Sequence, residues 1–173
     1  MIEEQTTTKF SIIDDFLPQK EFNEIQSAIM NHKTPQWVYT PNVANNEDES
    51  TANWKYFYFV HIIYDQGIVR SPIYNTCVPI LNKLDVKALM QIKANLFPNS
   101  EKVHEHDKHI DYSWTHKGAI LYINSCNGYT KLEDGTKVNS VANRILLFDA
   151  SIPHVSTTTS NQTARFNINF NYF

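Results

Sequence analysis

The sequence has few of the residues on which several common classes of protein depend. Only four of its 173 residues are glycines, and no Walker or Rossmann phosphate-binding loop can be written with them. Its two cysteines, Cys77 and Cys126, are too few for a disulfide scaffold. No apolar run approaches the ~18 residues that a membrane-spanning helix needs. Phosphate-binding loops of these two kinds, a disulfide-rich fold and a helical membrane protein are therefore excluded.

A surplus of positive charge is also missing. The formal net charge is -3 at pH 7, so there is no global electrostatic reason to expect a nucleic-acid or membrane-surface partner. The first ten residues, MIEEQTTTKF, lack the basic stretch followed by an apolar one that is typical of a secretory leader. We therefore expect a cytoplasmic protein with reduced thiols and no membrane partner.

The composition that is present is that of a globular protein. Hydrophobic residues make up 42% of the chain and charged residues 19%, which excludes disorder of the weakly hydrophobic, highly charged kind. At about 100–200 residues per domain, the length predicts one domain that spans residues 1–173.

Two segments in the first half of the chain have helical spacing. In the first, which begins at Pro18 and runs to about residue 32, the inward face is predicted to carry Phe22, Ile25, Ile29 and Met30. The second covers residues 71–84 and begins with Ser and Pro, a good helix start. Its internal Pro79 favours a bent or broken helix.

The remainder is typical of short strands and turns. The polar, acidic segment 40–53 is predicted to be a long loop, and its length makes a substrate lid one interpretation. Residues 133–136 (EDGT) predict a tight hairpin turn. The clearest strands are at 10–16, 37–39, 54–64, 86–97, 119–124, 144–148 and 165–172. Helices followed by about eight strands predict an antiparallel sandwich or barrel with the helices on one outer face.

A candidate metal site begins at the triplet His109–Ile110–Asp111. Residues two apart on a strand point to the same face, so His109 and Asp111 can share one metal. His154 follows later in the chain, and Arg165 stands at the start of the last strand. Two histidines and one carboxylate leave three coordination positions open, which is the arrangement of non-haem Fe(II) oxygenases.

The last strand carries a polar face. Arg165, Asn167, Asn169 and Asn171 share this face and are predicted to line a cavity. The planar fork of an arginine suits a carboxylate because it can bond both oxygens at once. In the segment AILYIN, Tyr122 and Asn124 share a face and are predicted to reach the same cavity.

From His109 to Phe173 the sequence resembles a known family. It resembles the double-stranded β-helix (jelly-roll) core of the 2-oxoglutarate- and Fe(II)-dependent dioxygenases, in the prolyl-4-hydroxylase-like branch. The opening FSIIDDFLPQKEFNEI is similar to the entry segment of small, often phage-encoded members. The matching core segments are HID (109–111), LYIN (121–124), NRILLFDASIPH (143–154) and ARFNINF (164–170).

This resemblance implies a mainly β jelly-roll fold with N-terminal helices packed on one sheet, and a catalytic core at about residues 88–173. It implies Fe(II) and 2-oxoglutarate as cofactors, with O₂ as cosubstrate. The implied iron ligands are His109, Asp111 and His154. The implied partner of the distal 2-oxoglutarate carboxylate is Arg165, helped by the Tyr122 hydroxyl. Face parity adds two candidates for the cofactor pocket, Asn124 and Asn167. No catalytic residue beyond the metal ligands is indicated.

The implied activity is hydroxylation of an unactivated C–H bond, with release of succinate and CO₂. A prolyl or other peptidyl residue is the first candidate substrate, and a small molecule is open. One departure is visible, since many relatives carry paired glycines after the LYIN strand and this chain has only Gly128 there.

Two other functions stay open at this stage. A non-catalytic jelly-roll binding or structural protein predicts a broken triad. A metal enzyme without 2-oxoglutarate predicts no special need for Arg165.

Overall fold

Strands dominate the part of the chain that the computed structural model describes, which is residues 10–31, 33, 35–43 and 57–173. The two helices there are α1 (Gln19–Met30) and α2 (Tyr74–Lys83). Neither of them is long and apolar enough to cross a membrane. The strands are β1 (Ser11–Ile13), β2 (Val38–Thr40), β3 (Tyr58–Asp65), β4 (Ile68–Val69), β5 (Leu89–Pro98), β6 (Lys117–Tyr122), β7 (Tyr129–Lys131), β8 (Lys137–Asn139), β9 (Ile145–Asp149) and β10 (Ala164–Tyr172).

Eight of these strands form one antiparallel sheet. Its order is β1-β9-β6-β10-β5-β3-β2, with β4 paired to β3. The last strand, β10, lies at the centre between β5 and β6. The prediction of a mainly β protein built on an antiparallel sheet is therefore confirmed.

The two faces of this sheet contribute to two separate hydrophobic clusters. On β6, Ala119 and Leu121 belong to the larger cluster, whereas Ile120 and Tyr122 belong to the smaller one. This alternation is the period of two that a strand imposes on its side chains. The larger cluster also contains buried side chains of both helices, namely Phe22, Ile25, Ile29, Cys77 and Ile80.

The helices differ from the sequence-based expectation in two details. Met30 is 46% exposed rather than inward-facing, because it is the last residue of α1 and lies one position beyond the buried Ile29. The helix α2 continues through Pro79 without a break. Pro79 is the sixth residue of this short helix, so its missing N–H removes one backbone hydrogen bond, to the carbonyl of Asn75 in the first turn.

A smaller layer faces the side of the sheet that carries Ile120 and Tyr122. It contains the hairpin β7–β8, which turns as predicted at residues 133–136, where Gly135 has a φ of 86°. Isolated bridges join Lys131 to Val155 and Glu105 to Thr157. Segments 104–111 and 153–159 thereby lie next to the hairpin and opposite the large sheet. The predicted loop at 40–53 lies mostly outside the described residues, which end at Val43 and resume at Phe57.

Candidate metal centre and cofactor pocket

The two histidines of the predicted triad are direct cross-strand partners. The His109 backbone N–H donates to the His154 carbonyl at 3.0 Å, and the His154 N–H donates to the His109 carbonyl at 2.9 Å. This reciprocal pair places the two side chains on the same face of the ladder. Their imidazole rings lie 4.5 Å apart, centroid to centroid. The backbone thus fixes the spacing of two candidate ligands that are far apart in sequence.

Asp111 completes the group. Its backbone N–H donates to the Ala150 carbonyl at 3.2 Å, which extends the pairing by one step. Its Oδ1 atom lies 3.9 Å from Nε2 of His109 and 3.9 Å from Nε2 of His154. The three potential ligand atoms all lie within 4.8 Å of one another. One ion at the centre of this group would be in contact with all three.

Both histidines have their other ring nitrogen occupied by a backbone carbonyl. The Nδ1 atom of His109 lies 3.3 Å from the Asp107 carbonyl, and that of His154 lies 3.1 Å from the Ile152 carbonyl. A carbonyl only accepts, so each Nδ1 carries the proton and each Nε2 keeps its lone pair. In metalloproteins, a hydrogen bond from the ring nitrogen that does not bind the metal orients the histidine ligand.

The environment keeps these groups in the protonation states that a metal requires. Burial and the nearby His154 lower the pKa of His109 to about 4, so its ring is neutral at pH 7. Burial alone would raise the pKa of Asp111, but charges on His154 and Lys93 outweigh it and the net pKa is lowered. Asp111 is therefore ionised at neutral pH. Metal ligands of these types bind as neutral imidazoles and carboxylates.

An orphaned atom supports the fit to a metal. His154 is buried, and its Nε2 has no hydrogen-bond partner among the residues that the structure describes. A buried polar atom without a partner costs about 1–3 kcal/mol, so its presence calls for an explanation. A metal ion beside Nε2 would satisfy this atom, and the ionised Asp111 would offset part of its charge. The two histidines and one carboxylate therefore fit Fe(II).

The sequence pattern gave no signal for the contacts that hold the carboxylate of Asp111. The Asn171 side chain lies near it and lowers its pKa, and the Asn171 oxygen lies 3.2 Å from Nε2 of His116. Nδ1 of His116 lies 2.8 Å from the Trp114 carbonyl. The isolated His116 had no partner pattern in the sequence, because β6 and β10 become neighbours only in the folded sheet.

A cavity of about 260 Å³ opens beside the triad. The large sheet supplies one wall, and His109, Asp111 and His154 lie on the other. Of the polar residues predicted to face this cavity, Asn167 and Asn169 do line it. Asn167 accepts a hydrogen bond at 2.8 Å from the amide of Asn95 on β5.

Arg165 lies behind this cavity and is fully buried. Its Nη1 donates to the Thr157 carbonyl at 3.2 Å and its Nη2 to Oγ1 of Thr130 at 3.1 Å, whereas its Nε has no partner in the described part of the chain. Burial lowers its pKa. Among the described residues, Arg165 forms no ion pair with a carboxylate. A buried guanidinium in this state fits an incoming carboxylate.

Thr130 connects Arg165 to Tyr122. The Tyr122 hydroxyl donates to Oγ1 of Thr130 at 2.9 Å, so this one oxygen accepts from both side chains. Thr130 lines the cavity, whereas Tyr122 and Arg165 lie directly behind it. The sequence reasoning did not identify Thr130, because β7 is too short for its facing to be assigned from alternation.

Asn124 does not fit the predicted role in the cofactor pocket. Its amide nitrogen donates to the Ala164 carbonyl at 2.9 Å, and its oxygen accepts from the Phe166 N–H at 2.8 Å. Its two polar atoms therefore bind the backbone of β10, and Asn124 is not among the cavity-lining residues. It extends the pairing of β6 with β10 beyond Tyr122, where the strand ends.

Gly128 allows the loop after β6 to pass close to the side chain of Arg165. A Cβ atom at this position would lie 2.5 Å from the Thr158 carbonyl oxygen and 2.6 Å from Cδ of Arg165. Both distances are too short for any side chain. The glycine is required because the loop backbone passes directly over the Arg165 stem.

Several solved structures have a fold similar to that of this chain. No protein-family model and no curated protein matches the sequence. A prolyl-4-hydroxylase from Pseudomonas putida is similar over 96% of this chain and 93% of that chain, with a TM-score of 0.59 and 15% identity. A 2OG-Fe(II) oxygenase family oxidoreductase from Burkholderia pseudomallei is similar over 94% of this chain and 84% of that chain, with a TM-score of 0.67 and 11% identity.

A third structure is a prolyl hydroxylase from Trichoplax adhaerens in complex with a peptide fragment of the hypoxia inducible factor oxygen degradation domain. It is similar over 96% of this chain and 84% of that chain, with a TM-score of 0.64 and 18% identity. At these identities the likeness shows the fold. The chain has the fold of the 2OG-Fe(II) oxygenases, in its prolyl-hydroxylase-like form, as the sequence resemblance predicted.

Proposed function

We propose that this protein is an Fe(II)- and 2-oxoglutarate-dependent oxygenase that hydroxylates an unactivated C–H bond. One observation carries the proposal. Nε2 of His154 has no hydrogen-bond partner among the described residues, and it lies within 4.8 Å of a ligand atom of His109 and of the carboxylate of Asp111. We also propose that the fold is a jelly roll with the helices against its large sheet, supported by the hydrophobic cluster that both helices share with β6 and β10.

The triad would hold the metal and leave part of its surface open. His109 and His154 would each offer a neutral Nε2, and Asp111 would supply one negative charge. Three protein ligands on one side of a six-coordinate ion leave three positions for other molecules. When bound, Fe(II) with 2-oxoglutarate and O₂ supplies the oxidation of a C–H bond to an alcohol, and the cosubstrate leaves as succinate and CO₂.

Apolar side chains cover one side of the triad. The ring of Phe148 packs edge-on against His154 at 5.0 Å, and Ile120 lines the cavity floor. Both side chains belong to the smaller hydrophobic cluster beneath the site. An apolar surface of this kind excludes water from that side of the triad.

Arg165 would hold the distal carboxylate of 2-oxoglutarate. A dicarboxylate needs one fixed cation away from the metal to set its orientation, and a guanidinium can bond both carboxylate oxygens. The side chains of Tyr122 and Thr130 would hold the guanidinium in place. Asn167, on the same face of β10, would line the path between Arg165 and the triad.

We propose a peptidyl residue, with proline as the first candidate, or a small molecule as the substrate. The likeness to prolyl hydroxylases supports the first alternative. The cavity of about 260 Å³ is below the usual ~300–1,000 Å³ of small-molecule sites, so only one side chain or a small compound fits beside the cosubstrate.

The two rival functions conflict with particular observations. A non-catalytic binding protein has no need for three ligand atoms within 4.8 Å, one of them a buried imidazole nitrogen with no hydrogen-bond partner among the described residues. A metal enzyme without 2-oxoglutarate has no need for a buried, unpaired arginine behind the metal group, since an unpaired buried charge is strongly destabilising.

Anaerobic addition of Fe(II) and 2-oxoglutarate to the metal-free protein tests the proposal. We expect a weak visible charge-transfer band with the wild type. His109→Ala should abolish the band, whereas His104→Ala, on the same segment but outside the triad, should keep it. A wild-type protein that forms no band would show that the cofactor assignment is wrong.

Arg165→Ala tests binding of the cosubstrate separately from binding of the metal. We expect weaker 2-oxoglutarate binding with unchanged metal affinity, both measured by calorimetry. Equal loss of both would contradict the role assigned to Arg165. Succinate release in the presence of proline-containing peptides and small acids would then identify the substrate.

A further inference from the structure

Lys93 is a cation on the cavity wall that the proposed metal and cosubstrate do not use. On β5, Ile92 and Ala94 point into the larger hydrophobic cluster, so Lys93 and Asn95 point to the opposite face. Both residues line the cavity, as does Asn169, the register partner of Lys93 on β10. The lysine is half-buried at this position.

Within the described residues, Lys93 forms no ion pair or hydrogen bond through its side chain. The neighbouring strand β3 carries Asp65, but this carboxylate accepts a hydrogen bond from Gln91 at 3.1 Å. Asp111 is the one carboxylate among the described cavity-lining residues, and it belongs to the triad. A half-buried ammonium facing a polar cavity in this way is positioned to bind an anion.

The location of Lys93 separates it from the cosubstrate carboxylate that Arg165 would hold. Arg165 is the register partner of Phe97, and Lys93 lies four residues from Phe97 along β5, or about 13 Å at the usual rise of a strand. Arg165 is fully buried, and Lys93 is partly exposed. Lys93 lines the same cavity as His109, Asp111 and His154, so it lies near the metal group.

The charges in the loaded site leave Lys93 uncompensated. Asp111 and the keto-acid end of 2-oxoglutarate together would cancel the two charges of Fe(II). The distal carboxylate would cancel Arg165. Lys93 would then be the single unbalanced charge among the described cavity-lining residues, next to the position where substrate must approach. A substrate with a negative group would neutralise it.

We propose that Lys93 binds a carboxylate of the substrate, which makes the substrate a small acid or a chain end rather than a neutral internal residue of a peptide. The proposal rests on the proposed function and specifies its substrate class. The ammonium would hold the carboxylate at the rim of the cavity, and the oxidised carbon would lie close to it, toward the triad. Asn169 is the neighbouring hydrogen-bonding group on this wall.

The test uses the full chain loaded anaerobically with Fe(II) and 2-oxoglutarate. A panel of N-acetyl amino acids is titrated against the matching primary amides, and perturbation of the charge-transfer band reports binding. We expect at least one acid to bind about tenfold or more tightly than its amide, the difference that one charge-assisted hydrogen bond provides. Equal affinity of every acid and its amide, or binding of no acid, would overturn the proposal.

Two variants assign the preference to Lys93. Lys93→Met should abolish the preference for acids, and Lys93→Arg should keep it. Lys20→Met is the matched control, because it removes one positive charge from the exposed face of α1 and should keep the wild-type preference. A preference that survives in Lys93→Met would overturn the proposal.

The affinity for 2-oxoglutarate shows whether Lys93 binds a carboxylate of the substrate or one of the cosubstrate. Calorimetry should give the same 2-oxoglutarate affinity for Lys93→Met and the wild type. A loss as large as that of Arg165→Ala would show that Lys93 binds the cosubstrate and would overturn the proposal. The charge-transfer band forms before any probe is added, so a missing band contradicts the proposed function and not the role of Lys93.

Discussion

The side-chain amide of Asn171 lies close enough to the carboxylate of Asp111 to lower its pKa. Asn171 is itself buried, and its side-chain oxygen lies 3.2 Å from Nε2 of the buried His116, whose Nδ1 lies 2.8 Å from the Trp114 carbonyl. Asp111 follows an irregular segment and not a long strand, so its backbone alone does not fix the side-chain rotamer. The chain from His116 through Asn171 supplies this constraint from the central sheet.

We predict that Asn171→Ala weakens metal binding by about 10–100-fold, the usual effect of removing a group that orients a ligand. The carboxylate would lose a donor and sample rotamers that face away from the two histidines. Titration of the metal-free protein with Fe(II) under anaerobic conditions measures this affinity.

Asn169→Ala is the matched control for this change. Asn169 lies on the same face of β10 and lines the cavity, but its oxygen accepts from Asn95 at 3.3 Å and not from a triad residue. Its removal should leave the metal affinity unchanged. Equal losses in the two variants would mean that the polar face acts as a whole and that Asn171 has no particular role toward Asp111.

The common face of His109 and Asp111 could be predicted from the sequence because it follows from a local rule. His109 and Asp111 are two residues apart in an extended segment, which fixes their common face. The alternation in RFNINFNY likewise separates Arg165 and Asn167 from the apolar residues, and the structure places these two faces as predicted. The pairing of His109 with His154 is non-local, and only the order of the motifs indicated it.

The residues around the triad could not be predicted, because their roles depend on which strands become neighbours. Thr130 meets Arg165 and Tyr122 only after β7 folds over the sheet. For a related reason, the structure gives Asn124 hydrogen bonds to the neighbouring backbone in place of the predicted position in the pocket. Alternation gives the face of a residue within a strand, but Asn124 lies beyond the end of β6, where the amide is free to bond the neighbouring backbone.

Thr130→Val should cost more stability than Tyr122→Phe. The valine removes an acceptor and leaves two buried donors, Nη2 of Arg165 and the Tyr122 hydroxyl, without it. An unsatisfied buried donor costs about 1–3 kcal/mol. Tyr122→Phe removes its donor together with the bond and leaves no such group. Urea denaturation of the metal-free variants measures the difference, and an equal or smaller loss for Thr130→Val would contradict this interpretation.

Gly128→Ala should displace Arg165. The new Cβ would overlap the Thr158 carbonyl and the Arg165 stem, both at under 3.0 Å, and overpacking of this kind costs about 1–3 kcal/mol. We expect a loss of stability and of 2-oxoglutarate affinity, measured by urea denaturation and calorimetry.

Gly118→Ala is the comparison, because its Cβ would lie 2.6 Å from that of Ala150, away from Arg165. It should lower stability and leave the 2-oxoglutarate affinity nearly unchanged. If both variants lose this affinity to the same extent, the contact between Gly128 and Arg165 is not what positions the arginine.

Acid should destabilise the metal-free protein before its carboxylates are protonated. Burial, followed by the charges of Arg165 and His109, lowers the pKa of His106 to about 3, and the pKa of His109 is lowered to about 4. The ordinary value is 6.5. Between these limits the unfolded chain binds a proton at each histidine that the folded chain does not bind. The free energy of unfolding therefore falls as the pH falls, by about 1.4 kcal/mol per pH unit for each group.

Urea denaturation at pH values from about 5 to 6.5 isolates this effect, since the carboxylates remain mostly ionised there. His106→Phe should reduce the slope of unfolding free energy against pH by about one proton. Ser156→Ala removes the hydroxyl that lies 2.9 Å from Nδ1 of His106 but keeps the titratable ring, so it should lower stability and keep the slope. A slope unchanged by His106→Phe would show that this histidine is protonated in the folded state, which its burial against Phe97 opposes.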